Sequence, residues 1–211
     1  MYKAYVFDFD YTLADSEKGI VMCFEMLLAD EGYPPVSKDR IRATIGKTMY
    51  DSTAILTGET NSSRIHELIE FYRRRYSDKY MTANTRLYAE TIPCLRRLKQ
   101  KQVLIGIVST KTRARINQTL QKDNITNLID CVIGMEDVSE AKPSPQGLNQ
   151  IKERYSLRNK EILYIGDSLI DAETAKNGQV DFTAVLTGVT CAEAFASWPH
   201  VQIIKTLAEL D

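Results

Sequence analysis

Two aspartates one residue apart, in Asp8-Phe9-Asp10, stand directly after an apolar run near the N-terminus. Successive side chains of a strand alternate, so Asp8 and Asp10 share one side while Phe9 points away. Two carboxylates this close repel each other unless a cation lies between them or one holds a proton. Hard oxygen ligands favour Mg²⁺, which takes a few carboxylates together with phosphate and water. The same pair suits an aspartyl-phosphate route, in which one carboxylate attacks phosphorus and the other protonates the leaving oxygen. Taken alone, the cluster is equally compatible with turn and cap duties for Asp10 and Thr12.

Three further polar clusters follow apolar runs. Ser109-Thr110 precedes a helix-like stretch starting near Lys111, where hydroxyls and N–H groups cradle a phosphate or simply cap the helix. In Ala141-Lys142-Pro143, the proline keeps Lys142 extended, so that its ammonium either reaches a phosphate as a point charge or stays in solvent. Asp167 and Asp171, in Gly166-Asp167-Ser168-Leu169-Ile170-Asp171, sit at a strand end and in the first turn of the next helix. Capping accounts for Ser168 or Asp171 well, and for Asp167 less easily. Together the four clusters supply what phosphoryl transfer needs: metal-binding carboxylates, a nucleophile with an acid, a hydroxyl and a lysine.

The elements that must gather these residues are short apolar runs separated by helix-length segments: 4–7, 103–108, 131–134, 162–165, 182–186 and 201–204. Such alternation predicts β-α units with a parallel sheet covered by helices on both faces. In that architecture ligands bind outside the carboxyl ends of the strands, where all four clusters fall. The stretch from Ser16 to Arg86 carries helix patterns and no strand. Ile20, Phe24, Leu27 and Leu28 form a stripe that stops at Gly32. Ile65, Leu68, Ile69 and Tyr72 form another, with Asn61, Ser62 and Ser63 as candidate caps. The expected organisation is an α/β core from residues 1–14 and 87–211, with a helical insertion at 15–86.

The chain has 211 residues, a formal net charge of -1, 44% hydrophobic and 26% charged residues, an ordinary globular balance. No apolar run approaches the roughly 20 residues of a membrane span, and the N-terminus has no signal-peptide layout, so a cytoplasmic protein without membrane association is expected. Cys23, Cys94, Cys131 and Cys191 are too dispersed for a metal motif and read as reduced, mostly packed thiols. The near-neutral charge gives no basis for nucleic-acid binding, and the Arg73-Arg74-Arg75 run reads as a solvated helix face.

The ordered set D-x-D-x-T (Asp8, Asp10, Thr12), Ser/Thr (Ser109), Lys (Lys142) and G-D-x-x-x-D (Asp167, Asp171) resembles the haloacid dehalogenase-like hydrolase superfamily over essentially the whole chain. The resemblance implies a doubly wound, Rossmann-like parallel core and Mg²⁺ as cofactor. It makes Asp8 the nucleophile, Asp10 the general acid and base, and Lys142 a catalytic and phosphate-binding residue beside Thr12, Ser109 and Thr110. Asp8, Asp10 through its backbone carbonyl, and Asp167 would hold the metal, with Asp171 as ligand or outer-shell support. An acid at position 10 favours phosphatases over dehalogenases. The helical insertion is similar to the cap of the phosphoglycolate phosphatase-like branch, and Ile45-Gly46-Lys47-Thr48 resembles its specificity loop, with Lys47 at the non-reacting end of the substrate. Tyr11, where that branch often has glycine, and Asn177-Gly178-Gln179 depart from the pattern. The expected partner is a small phosphorylated metabolite, with the chain a monomer or homodimer. A β-phosphoglucomutase-like phosphotransferase, a pyrophosphatase and a phosphate-binding module without turnover are the alternatives.

Overall fold

The structure is a computed structural model and describes residues 1–210. Its strands are β1 (Ala4–Phe7), β2 (Ala14–Asp15), β3 (Arg86–Leu87), β4 (Leu104–Val108), β5 (Cys131–Ile133), β6 (Ile162–Gly166), β7 (Asp181–Val185) and β8 (Gln202–Ile204). The short β2 and β3 form a two-stranded sheet, and the other six strands form one sheet in the order β5-β4-β1-β6-β7-β8. Every neighbouring pair in the larger sheet is parallel. All six apolar runs thus become strands, with ends displaced by no more than one residue. The sheet grows outward from β1 in both directions, which places the topological switch point between β4, β1 and β6.

The chain divides into two compact units, residues 1–14 with 87–211, and residues 15–86. The second is helical: α1 (Glu17–Asp30), α2 (Lys38–Arg42), α3 (Met49–Thr57), α4 (Ser62–Phe71) and the one-turn α5 (Asp78–Tyr80). A π-helical stretch, Tyr72–Ser77, joins α4 to α5, an irregularity the 3.6-residue pattern does not reveal. The α1 stripe and the α4 stripe are buried, and Ile20, Phe24, Leu27, Leu68 and Tyr72 pack in one cluster. Gly32 ends α1 with a left-handed φ of 74°, while Tyr33 N–H donates to the Leu28 carbonyl at 2.9 Å. Asn61 caps α4 by accepting from Ser63 and Arg64 N–H. The arginine run is exposed: Arg73 and Arg74 pair with Glu70, and Arg75 pairs with Glu31.

In the first unit, α6 (Thr91–Gln100), α7 (Arg113–Lys122), α8 (Gln146–Tyr155), α9 (Leu169–Gly178) and α10 (Ala192–Phe195) cover the sheet. Alternation along β1 is clear: Tyr5 and Phe7 pack with α6 and α7 residues, whereas Ala4 and Val6 pack with Leu148 of α8 and Ala172 of α9. Phe9 continues the first series beyond the strand, which directs Asp8 to the α8/α9 side. No helix among the described residues is long and apolar enough to cross a membrane. Cys23, Cys94 and Cys131 are buried free thiols, and Cys191 is an exposed one.

Leu148 is fully buried in the layer on which the Asp8 side of the sheet rests. Leu148→Ala is expected to cost about 2–5 kcal/mol through lost burial and the cavity left behind. Urea unfolding should show a lower midpoint with an unchanged slope.

Candidate active site

Asp8 follows the last residue of β1, and its N–H donates to Ile165 O at 2.8 Å, extending the β1–β6 pairing by one step. The chain then turns sharply. Phe9 O accepts from Leu13 and Ala14 N–H, both at 3.0 Å, and Tyr11 holds a left-handed φ of 60°. Tyr11 occupies the backbone conformation that glycine adopts without penalty, and a bulky residue held there costs roughly 1–2 kcal/mol. The Thr187 hydroxyl bonds the Tyr11 carbonyl and Tyr11 N–H donates to Ala14 O at 2.8 Å, so the strained turn is fixed from two sides.

Lys142 lies at the centre of the cluster. Its ammonium is 3.0 Å from Asp8 Oδ1 and 2.6 Å from Asp171 Oδ1, with the side chain only 4% exposed. It also donates to the Tyr164 hydroxyl at 3.2 Å. Tyr164, in the core layer of β6, shares its single proton between Asp171 Oδ1 at 2.9 Å and Val108 O at 3.2 Å. Asp171 Oδ2 accepts from Ser168 N–H at 3.1 Å and Ser168 Oγ at 2.6 Å, in a reciprocal capping box at the start of α9. Both oxygens of Asp171 are therefore engaged twice, and capping and lysine anchoring coexist in one residue. The other end of α9 holds the lysine loop, since Asn177 Nδ2 donates to Pro143 O at 2.9 Å. That contact gives the Asn177-Gly178-Gln179 departure a physical role.

Asp167 leaves β6 and accepts from Thr12 Oγ1 at 3.1 Å. Thr12, expected beside the phosphoryl group, is fully buried and its hydroxyl proton is directed to Asp167. Gly188, after β7, backs the same carboxylate so closely that a Cβ would overlap Asp167 Oδ2.

Ser109 and Thr110 leave β4, both buried. Ser109 N–H donates to Ile133 O at 3.1 Å, and its side chain bonds Asp8. The cradle expected from the following helix does not form there. α7 starts at Arg113, and the Glu136 carboxylate accepts from Arg113 and Ala114 N–H at 2.9 and 3.3 Å, because a negative side chain satisfies a helix N-terminus as well as a ligand does. Lys111, read from the sequence only as the start of a helix, places its ammonium 2.8 Å from Asp10 Oδ1 and 3.2 Å from Oδ2. Its signal was a cation two residues after the hydroxyl, inside a polar turn. Lys47 lies in the 15–86 unit, between α2 and α3, directly after Gly46 with φ 93°.

Burial dominates the electrostatics. It raises the Asp8 carboxyl to about 6 against the opposing pull of Lys142, with the Asp171 and Asp10 charges adding to the rise. Burial likewise lifts Asp167 well above the carboxylate range, helped by Asp171 and Asp8. Lys142 is raised despite its burial, because Asp171 and Asp8 favour the ammonium. One oxygen from each of Asp8, Asp167 and Asp171 lies within 4.8 Å of the others, and all three residues are buried. Hard oxygen donors carrying excess negative charge and gathered this closely fit a divalent cation.

Residues 5–185 match the haloacid dehalogenase-like hydrolase family. The chain belongs to that family, and it is a hydrolase of the phosphatase type. A phosphoglycolate phosphatase of Rhodobacter capsulatus is 30% identical over 89% of this chain and 86% of its own length. The pyrophosphatase PpaX of Listeria monocytogenes is 26% identical over 97% of this chain and 93% of its own. A crystal structure from Bacteroides fragilis, assigned to the same hydrolases, shares 44% identity and a TM-score of 0.97, covering 100% of both chains.

The raised Asp8 carboxyl fixes the sign of one pH effect. Its folded value, about 6, exceeds the ordinary 3.8, so folding takes up a proton between the two. The protonated carboxyl stabilises the fold below pH 4, and that stability is lost as pH rises through 6, on the order of 3 kcal/mol. Melting temperatures in chelator should fall across this window, and fall less in Asp8→Asn. Separately, Gly188→Ala should displace Asp167 and lower turnover on the order of 100-fold, with an unchanged circular dichroism spectrum.

Proposed function

We propose that this chain is a Mg²⁺-dependent phosphatase that hydrolyses a small phosphomonoester through a phospho-aspartate on Asp8. The observation that carries the reading is the Asp8 carboxylate, buried and paired through Oδ1 with the Lys142 ammonium at 3.0 Å, with Asp10 two residues on. An Asp8 oxygen attacks phosphorus while the bond to the leaving oxygen breaks, and Asp10 supplies the proton that the leaving group takes. A water then gives its proton to Asp10 and attacks the acyl phosphate, the phosphorus–oxygen bond to Asp8 breaks, and inorganic phosphate departs. Lys142 and Ser109 hold the transferred group beside Asp8, with Thr110 lining the same turn, and the fixed ammonium offsets charge that develops on the equatorial oxygens.

Asp8, Asp167 and the Asp10 backbone carbonyl would hold Mg²⁺. Asp171, with its oxygens already engaged, would support them from the outer shell by anchoring Lys142. When bound, the ion neutralises the carboxylates and the phosphate oxygens together. The 15–86 unit would act as a cap that shields the reaction from bulk water, with Lys47 meeting the non-reacting end of the substrate. Phosphoglycolate is the leading substrate, because relatives bearing that name align over most of the chain. The pyrophosphatase relatives, at similar identity, support inorganic pyrophosphate as the second reading.

Phosphate release from phosphoglycolate, pyrophosphate, sugar phosphates and nucleotides tests both. Turnover should require Mg²⁺, favour phosphoglycolate, and vanish in Asp8→Asn while urea unfolding shows an intact fold. Near-normal kcat in Asp8→Asn would exclude the phospho-aspartate route.

A further inference from the structure

Two ammonium groups serve this site, that of Lys142 buried and that of Lys111 largely so, and they face different partners. Lys142 is committed to Asp8 and Asp171, the side of the transferred phosphoryl group. Lys111 hydrogen-bonds both oxygens of Asp10, with each of the two side chains only 9% exposed. Its backbone is held at both ends, the N–H donating to Ser109 Oγ at 3.3 Å and the carbonyl accepting from Met135 N–H at 3.2 Å. Its ammonium lies 5.9 Å from the centre of the Phe9 ring, which is itself fully buried. The residue is thus directed to Asp10 from a fixed base and does not roam the surface.

We infer that Lys111 is a specificity-determining residue that reads a negative charge on the leaving group of the substrate. The inference rests on the phosphatase reading above. To deliver its proton, Asp10 must come within hydrogen-bond reach of the leaving oxygen. An ammonium already bound to that carboxylate then stands two hydrogen bonds from the leaving oxygen, next to whatever the adjoining atom carries. An ammonium has three donors, and a point charge on a flexible stem turns readily from one acceptor to another. A carboxylate or a second phosphate on the adjoining atom meets a cation in a nearly dry site, where the attraction is much stronger than in water. A neutral leaving group gains nothing from it. The assigned substrate class is therefore a phosphate ester or anhydride whose leaving group is an anion within one or two bonds of the bridging oxygen.

The test compares 2-phosphoglycolate with 2-hydroxyethyl phosphate, two-carbon phosphomonoesters of which only the first has an anionic leaving group. Wild-type enzyme with Mg²⁺ should favour the carboxylate ester. Lys111→Met should raise KM for that ester about tenfold more than for the neutral one, while kcat falls by a common factor as Asp10 loses its partner. Lys111→Arg should restore most of the discrimination, and circular dichroism with urea midpoints should show all variants folded. An equal change in KM for both esters, or a wild-type enzyme with no preference for the anionic leaving group, would overturn the inference and leave the phosphatase reading standing. A wild-type enzyme that releases phosphate from neither ester nor from pyrophosphate would overturn the inference, and one that also releases none from sugar phosphates and nucleotides would overturn both.

Discussion

An ammonium removed from water must be compensated within a few ångströms, and around Lys142 that requirement organises the first unit. Burial of an ion costs several kcal/mol, and the attraction of a partner offsets it only when the geometry is fixed and the remaining donors and acceptors are satisfied. Asp171 provides that geometry because Ser168 and Tyr164 fill its other lone pairs. Tyr164 depends in turn on β6, Ser168 on the first turn of α9, and the lysine loop on Asn177 at the far end of α9. The side chains surrounding Asp8 are thus set by a strand, a helix and a loop that restrain one another.

The order of strands explains why such distant residues meet. β1 lies between β4 and β6, so the carboxyl ends of three strands open onto one crevice and deliver Asp8, Ser109 and Asp167 to it. Alternation then separates duties along each strand. Phe7 and Phe9 anchor one face of β1 and its extension, and Asp8 projects to the other, where Tyr164 also points. Core packing and site geometry share the same backbone.

The electrostatics suit a site that acquires a cation and an anion together. Asp8 and Asp167 are raised chiefly by burial, with the neighbouring carboxylates adding to the rise. The strained Tyr11 turn beside them is held by Thr187 and Ala14, a conformation that only the surrounding contacts justify. Lys111 and Lys142 divide the positive charge between Asp10 and Asp8, the two carboxylates with opposite tasks in the proposed reaction.

Much of this was legible in the sequence. The apolar runs, their spacing and the polar residues at their ends predicted a parallel α/β sheet, because burial on both faces requires uninterrupted hydrophobic strands and a period of two assigns their faces. The stripes of α1 and α4 were equally plain. The sequence by itself thus determined the strands, the main helices and the set of residues at the strand ends. Only the tertiary structure decided which partners those residues take. Thr12 turned to Asp167, Glu136 took the first turn of α7, and Lys111 proved to face Asp10 across 101 positions of sequence. Periodicity reports which face a side chain is on, whereas a hydrogen bond depends on distances between segments that are remote in sequence, and those distances are fixed only when the sheet is assembled.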